Sequence, residues 1–400
     1  MSSRLISISE ARQLVLAAVT PLGEEEVPIR DALGRVLAAD LMAAGDVPPF
    51  PCSAMDGYAV IAEDGGGPLT LTGESRAGAP SQLRLGPGEA IRISTGAAVP
   101  AGATAVIKQE SVDVQDSTIV LRAPVAAGEN IRGAGEDMRA GARVLTGGRR
   151  LGPVELGAAV AAGGSTVSLV RQPRVSVLCT GDELRPAGAV LRPGEIHNSN
   201  APMLSALAAH AGTLCDEAEL LPDDPAETRT GLERALERSE VVLITGGVSV
   251  GPHDHVKPAL VSLDVREIFW GVALQPGKPT WFGARGETLV FGLPGNPVSA
   301  VVAFSLFALP ALVAMQRERR VRKLEPEATL GASVRRNPRR EQAVRVRLQR
   351  GRGGPVAIPN GPQGSHILSS LLDADALAMI PAGEGQLEEG SPVTLEELAS

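Results

Sequence analysis

Three glycine-rich loops gather most of the residues that could do chemistry. They are Thr180-Gly181-Asp182-Glu183, Thr245-Gly246-Gly247-Val248-Ser249-Val250-Gly251, and Gly292-Leu293-Pro294-Gly295-Asn296-Pro297. Each follows a short strand-like apolar stretch. Glycine there lets backbone N–H groups approach a ligand closely, and a loop feeding a helix N-terminus favours an anion. In an open α/β sheet, ligands bind outside the carboxyl ends of the strands. One such loop is as readily a plain turn; three in register point to a phosphate-bearing ligand.

Acidic residues sit in turns around these loops: Asp56 in SAMDGY, Glu136-Asp137 in GEDM, Asp182-Glu183 in TGDEL, Asp223-Asp224 in LPDDP, and Asp254. Carboxylates hold the Mg²⁺ that accompanies phosphates, although a turn acid also serves simply as a cap. Asp224 reads as a helix cap. Lys278 in QPGKP and Arg345 in VRVRL are candidate anion ligands, with a solvated surface charge as the plainer reading of each. His253-Asp254-His255 has a spacing that could share a metal only in an extended segment, so surface histidines are the simpler account.

Other catalytic classes are excluded. No GxxxxGK[ST] and no strand-following GxGxxG is present. Gly247-Val-Ser249-Val-Gly251 matches GxSxG, but a nucleophile elbow needs a helix directly after the serine. Pro252-His253-Asp254 follows instead, and no HGGG-type oxyanion loop exists.

Composition bounds the rest. The 400 residues carry a formal net charge of −8, which argues against a dedicated nucleic-acid binder. Six Phe, two Trp and one Tyr leave little for stacking on single strands. Cys52, Cys179 and Cys215 form no CxxC and read as small buried hydrophobes. The N-terminal MSSRLISISEAR lacks an apolar signal region, so a reducing cytoplasm is expected. Val298–Met315 is apolar enough to span a membrane. Asn296 and Pro297 read instead as cap and first residue of a buried core helix.

The elements that must position these residues follow from periodicity and caps. Ser7 with Glu10 makes a capping box for a first helix, and a second helix is expected from Asp31 to Leu41. Residues 46–136 read as a β-rich insert, which leaves 1–45 and 137–174 as one discontinuous N-terminal domain. Residues 175–317 alternate strands (175–179, 241–244, 288–291) with helices (199–211, 224–238, 296–315). That implies a mostly parallel α/β domain covered on both faces. Residues 318–400 read as a small C-terminal β domain. The fold class is thus α/β plus β, multidomain.

At these motifs the chain resembles the molybdopterin molybdenumtransferases, the family of MoeA and the gephyrin E-domain. The resemblance covers essentially the whole chain. It rests on PPFPCSAMDGYAV (48–60), RISTGAAVPAGATAVIKQE (92–110), GENIRGAGEDMRAG (128–141), TGDEL (180–184), GEIHNSN (194–200), LPDDP (221–225), ITGGVSVGPHDH (244–255), QPGKP (275–279), FGLPGNPVSA (291–300) and GPQGSHILSSL (361–371). It implies an elongated four-domain homodimer whose cleft is partly completed by the second subunit. It implies insertion of molybdate into the dithiolene of adenylylated molybdopterin, with Mg²⁺-dependent or similar hydrolysis that releases AMP and molybdenum cofactor. A molybdopterin adenylyltransferase and acceptor molybdoenzymes are the implied protein partners, with no nucleic acid and no membrane.

Carried over by motif, Asp56, Thr95 and Asp137 are expected cleft residues from the first half. Glu183, Asp223 and Asp254 match acidic positions, with Glu183 and Asp254 expected to handle the metal and pyrophosphate. Thr180, Gly181, Gly246, Gly247, Ser249, Gly251, Pro294, Gly295 and Asn296 would cradle the pterin ligand. Lys278, Arg345 and Ser365 are expected to take molybdate.

Two departures stand out. Some members have Lys-x-x-x-Lys before PGKP, where this chain has Gly271 and Gln275. Cys52 stands where Asn is frequent. Two other readings therefore stand beside the transferase: a scaffold, and a binding paralogue that kept the fold and lost insertion.

Overall fold

The computed structural model describes residues 5–64, 67–247, 255–319, 327–351 and 353–399. Its centre is a seven-stranded sheet. The strand order is Leu214–Cys215, Arg174–Thr180, Val241–Thr245, Thr288–Leu293, Trp281–Arg285, Arg266–Trp270, with Glu219–Leu221 also paired to Arg174–Thr180. The pairings around Arg174–Thr180, Val241–Thr245 and Thr288–Leu293 are parallel, and only Trp281–Arg285 runs against its neighbours.

Both faces of this sheet are covered, which explains its uninterrupted apolar strands. Val175, Val177, Val241, Leu243, Leu289 and Phe291 point into one core, Leu178, Val242, Ile244 and Val290 into another. Helices Asn200–His210 and Pro297–Met315 cover the first face; Pro225–Arg238 and Val256–Ser262 cover the second. Five of the six phenylalanines lie in the first core, where Phe269, Phe282 and Phe291 stack at 5.5 and 4.9 Å. Asp224 caps its helix by accepting from Ala226 N and Glu227 N, each at 2.9 Å.

The apolar segment is the 19-residue helix Pro297–Met315, and 83% of its most hydrophobic window is buried inside the protein. It relaxes into a π-helical turn at Phe304–Ala308 just ahead of Pro310. Proline has no N–H to offer the carbonyl of Leu306. Arg12 supplies the missing donor, its Nε reaching Leu306 O at 3.3 Å while Nη1 meets Glu396 at 3.0 Å.

Arg12 lies on the helix Ile8–Ala17, which Ser7 caps through Glu10 N. Ile8, Ala11 and Val15 pack into the α/β core, and Ile6 bridges Val272. This opening segment therefore sits on the α/β region, not with the rest of 1–45, because its apolar face finds its partner there. The helix expected at Asp31–Leu41 is replaced by a 3₁₀ turn, Ile29–Asp31, and a short strand, Leu41–Met42. Its backbone groups are taken elsewhere: Gly34 N bonds Leu151 O, Leu37 N bonds Arg149 O, and Ala38 N bonds Ser168 O. The segments 1–45 and 137–174 meet where Glu24–Pro28 pairs with Thr166–Val170 and Leu41–Met42 with Arg143–Leu145.

Between them the chain forms a six-stranded sheet from Gly57–Val60, Leu69–Ser75, Glu89–Ile93, Ala105–Lys108, Val112–Gln115 and Thr118–Leu121. At the other end Glu341–Gly351, Gly354–Pro359, Glu327–Leu330, Pro392–Glu397 and Ala376–Ile380 close into a small barrel, because Glu341–Gly351 pairs with both Gly354–Pro359 and Ala376–Ile380. Leu274–Gln275 adds to this barrel beside Glu341–Gln342.

Arg12→Ala removes a charged donor from a carbonyl that proline leaves unmatched. It is expected to destabilise the protein by about 1–3 kcal/mol in urea or thermal unfolding. An unchanged midpoint would show that solvent serves Leu306 equally well.

Candidate functional site

The loops following Arg174–Thr180, Val241–Thr245 and Thr288–Leu293 open at the carboxyl end of the sheet, where the barrel faces them across a cleft of about 690 Å³. Thr180, Glu183, Gly246, Lys278, Pro294, Gly295, Asn296 and Ser365 all line it. Gly181 and Gly247 sit in its loops without lining it. Ser249, Gly251 and Asp254 lie outside the described residues.

A side-chain lattice holds the sheet end together. Asn200 Nδ2 donates to Thr245 Oγ1 and to Gly295 O, both at 2.8 Å, and Thr245 Oγ1 donates to Pro294 O at 3.1 Å. The side chain of Asn296 does not cap the helix that it precedes. It reaches across to Ser365 Oγ at 3.0 Å and ties the loop to the barrel. The helix N-terminus is thereby left facing the cleft, where its orphan N–H groups favour an anion.

The two glycines here answer to different constraints. Gly246 has φ +88, and a Cβ there would lie 2.4 Å from Thr180 O, so the loop can pass the neighbouring strand only as glycine. Gly295 has no such φ, and a Cβ on it would meet nothing within 4 Å. Its missing side chain leaves room in the cleft itself.

Arg345 does not line the cleft. It is 1% exposed on the strand face opposite to the barrel-core residues Val344 and Val346, with Nε donating to Ser370 Oγ at 3.2 Å and Nη2 to Gly364 O at 3.3 Å. Its backbone N donates to Gln363 Oε1 at 3.0 Å. The strand register turns the side chain behind the wall formed by Gln363, Gly364 and Ser365. No ion pair reaches it among the described residues, and burial lowers its pKa to about 10. It remains charged at neutral pH and adds positive potential from behind.

Asp56, Thr95 and Asp137 do not line the cleft of their own chain. Asp56 Oδ1 accepts from Thr95 N at 2.7 Å and Thr95 Oγ1 at 3.1 Å, and the backbone bond above all lowers its pKa. Asp223 Oδ2 accepts from Asp182 N, and Asp182 Oδ1 from Asp223 N, so these acids brace their loops. Cys52 is buried beside the Asp56 loop. Gly271 has φ +88, and a Cβ there would press on Leu5, so it stands outside the cleft. Gln275 lines it, its Oε1 accepting from Asn337 Nδ2.

Sequence reading passed over Asn200, Ser299, Gln363 and Arg340, all of which line the cleft. The first three fall inside recognised segments. Arg340 lies in the run RRNPRR and carries no signal of its own.

Gly295→Ala is expected to leave stability within about 1 kcal/mol while weakening ligand binding, whereas Gly246→Ala costs several kcal/mol through its backbone clash. Unfolding midpoints and ligand titration separate the two; equal loss of stability would refute the distinction.

Comparison with known proteins bears on the whole chain. Residues 6–163 match the MoeA N-terminal region (domain I and II), residues 176–314 a probable molybdopterin binding domain, and residues 327–398 the MoeA C-terminal region (domain IV). The chain is 35% identical to molybdopterin molybdenumtransferase 2 of Mycobacterium tuberculosis over 404 aligned positions, covering 98% of this chain and 99% of that one. It is 34% identical to the molybdopterin molybdenumtransferase of Haemophilus influenzae, covering 98% of each. The crystal structure of the molybdopterin biosynthesis moeA protein from Pyrococcus horikoshii superposes with a TM-score of 0.81 at 32% identity, over 98% of this chain and 100% of that one. With all three regions matched in order and full-length relatives above 30% identity, the chain belongs to the MoeA family of molybdopterin molybdenumtransferases.

Proposed function

We propose that this chain acts in molybdenum cofactor biosynthesis, inserting molybdate into the dithiolene of adenylylated molybdopterin and releasing AMP and molybdenum cofactor. The observation that carries this reading is the cleft itself. A helix N-terminus and glycine-lined loops suited to phosphates face Lys278 and Ser365, donors suited to an oxyanion. Lys278 gives a charge-assisted hydrogen bond, Ser365 a neutral one, and Arg345 adds potential from behind the wall. The protein's work is to orient the dithiolene toward the oxyanion and to offset charge, with no side-chain nucleophile.

A divalent ion such as Mg²⁺ suits the donor set. Mg²⁺ takes one or two protein carboxylates and fills its shell with phosphate oxygens and water. Glu183 is a carboxylate in the cleft, while no group of three or more His, Cys, Asp or Glu suited to a metal occurs among the described residues. Glu183 would hold the ion together with the substrate, and Asp254 is the second candidate from sequence. When bound, the ion neutralises charge on the phosphates.

The homodimer belongs to the same reading, as does a cytoplasmic location, with the adenylyltransferase and the acceptor molybdoenzymes as partners. Asp56, Thr95 and Asp137 stand outside their own cleft, which suits residues that complete the cleft of a second copy.

Protein, adenylylated molybdopterin, molybdate and Mg²⁺ should together release AMP in a molybdate-dependent way. Lys278→Ala should lower kcat/KM for molybdate at least about tenfold. Ligand binding without AMP release would make the chain a non-catalytic paralogue.

Mixing Asp56→Ala with Lys278→Ala protein should recover about a quarter of wild-type turnover, since half of the dimers mix and each then carries one intact site. No recovery after subunit exchange would mean that each cleft is complete within one chain.

A further inference from the structure

We propose that Arg340 is the second cation that grips a tetrahedral oxyanion in this cleft, held at its station by Asn337 and Gln275. The inference rests on the reading of the cleft as an oxyanion site. Lys278 and Arg340 are the two cations that line the cleft among the described residues. Lys278 stands alone on the α/β side, so a doubly charged ligand there needs charge from the barrel side.

Arg340 is built for that part. Its neighbour in the arginine run, Arg336, is consumed by the backbone, donating to Pro381 O at 3.1 Å and Ala382 O at 2.6 Å. Arg340 is half-buried, and no ion pair engages its guanidinium among the described residues. Its main chain, in contrast, is fixed from both sides. Asn337 Oδ1 accepts from Arg339 N at 2.9 Å and from Arg340 N at 3.0 Å, a side-chain turn that sets the direction of the chain. One residue on, Glu341 N bonds Ala273 O at 2.9 Å as the strand enters the barrel.

Asn337 has every polar group engaged. Its N donates to Gln342 Oε1 at 2.8 Å, its carbonyl accepts from Gly383 N at 2.9 Å, and its Nδ2 donates to Gln275 Oε1. Gln275 lies on Leu274–Gln275, three residues before Lys278, so one segment places both cations. No hydrogen bond or ion pair engages the Arg340 guanidinium among the described residues, and Arg340 lines the cleft together with Gln363 and Ser365. A planar fork of donors suits two oxygens of one oxyanion, where an ammonium gives a point charge.

Molybdate and the phosphate of the pterin substrate share this chemistry, and kinetics tells them apart. AMP release is measured with molybdate varied and then with adenylylated molybdopterin varied, for wild type, Arg340→Ala, Arg340→Lys, Asn337→Ala and Asn337→Ser. Arg340→Ala should raise the apparent constant of one oxyanion substrate at least about tenfold, with kcat within about twofold. A rise for molybdate assigns Arg340 to molybdate, and a rise for adenylylated molybdopterin assigns it to the phosphate. Arg340→Lys should fall between. Asn337→Ala should raise the same constant less, and Asn337→Ser, which keeps an acceptor for the turn, should restore it.

The proposal is overturned if neither constant moves in Arg340→Ala. The positioning role is overturned if Asn337→Ala lowers kcat and melting temperature together while both constants stay put. Should wild type release no AMP, the proposed function fails. Calorimetric titration with molybdate alone and with inorganic phosphate alone then reads Arg340 directly, and equal binding by wild type and Arg340→Ala overturns it.

Discussion

The cleft exists because one short backbone segment belongs to two architectures. Residues 271–280 run between strands of the α/β sheet, yet Leu274–Gln275 pairs with Glu341–Gln342 of the barrel. On one side Gly271 N bonds Thr280 O; on the other Glu341 N bonds Ala273 O. Backbone pairing is short-ranged and directional, so this seam fixes the distance and angle between sheet and barrel at the point where Lys278 emerges. The bond from Asn296 to Ser365 is a second tie across the same gap. With both in place, loops from the sheet end and from the barrel share one volume.

The wall on the barrel side is held by a buried guanidinium in the place where a hydrophobic pair would be more ordinary. Arg345 is desolvated without a carboxylate, which its pKa of about 10 reflects. Hydrogen bonds to Ser370 and Gly364 offset part of that cost. A carboxylate beside it would stabilise it further and would also cancel its field. Leaving it unpaired keeps positive potential directed at the loop 363–365. The chain as a whole is acidic, with a net charge of −8, so attraction for anions has to be local.

Much of this was legible in the sequence, and the gaps have physical causes. Caps and periodicity located Asn200–His210, Pro225–Arg238 and Pro297–Met315, because those helices carry their signals within a turn of their ends. The false helix at 31–41 had helical spacing, but its backbone was claimed by segments more than a hundred residues away, which no local pattern encodes. Gly246 was legible as a ligand-loop glycine, although its first duty is to clear Thr180 O. Arg345 matched a motif and still does not reach the cleft, because strand alternation puts it on the face opposite to the barrel-core residues Val344 and Val346, where the segment 363–370 covers it. Arg340 was invisible among neighbouring arginines; only its tethered backbone separates it from solvated charge.

The same contrast between tethered backbone and free side chain separates functional from structural residues elsewhere in the cleft. Asn200 Nδ2 and Thr245 Oγ1 are engaged within the cleft floor, so those groups shape it, while Asn200 Oδ1 is buried there without a protein partner. Asn296 spends its amide on Ser365, not on its own helix, and so gives up the local cap that would stabilise that helix. A helix start that forgoes its cap keeps its N–H groups available. The helix can afford this because nearly all of its length is buried against the sheet, where packing rather than capping supplies its stability. The deep apolar helix and the polar opening above it are therefore one arrangement: burial of the shaft is what lets the tip remain unsatisfied by protein.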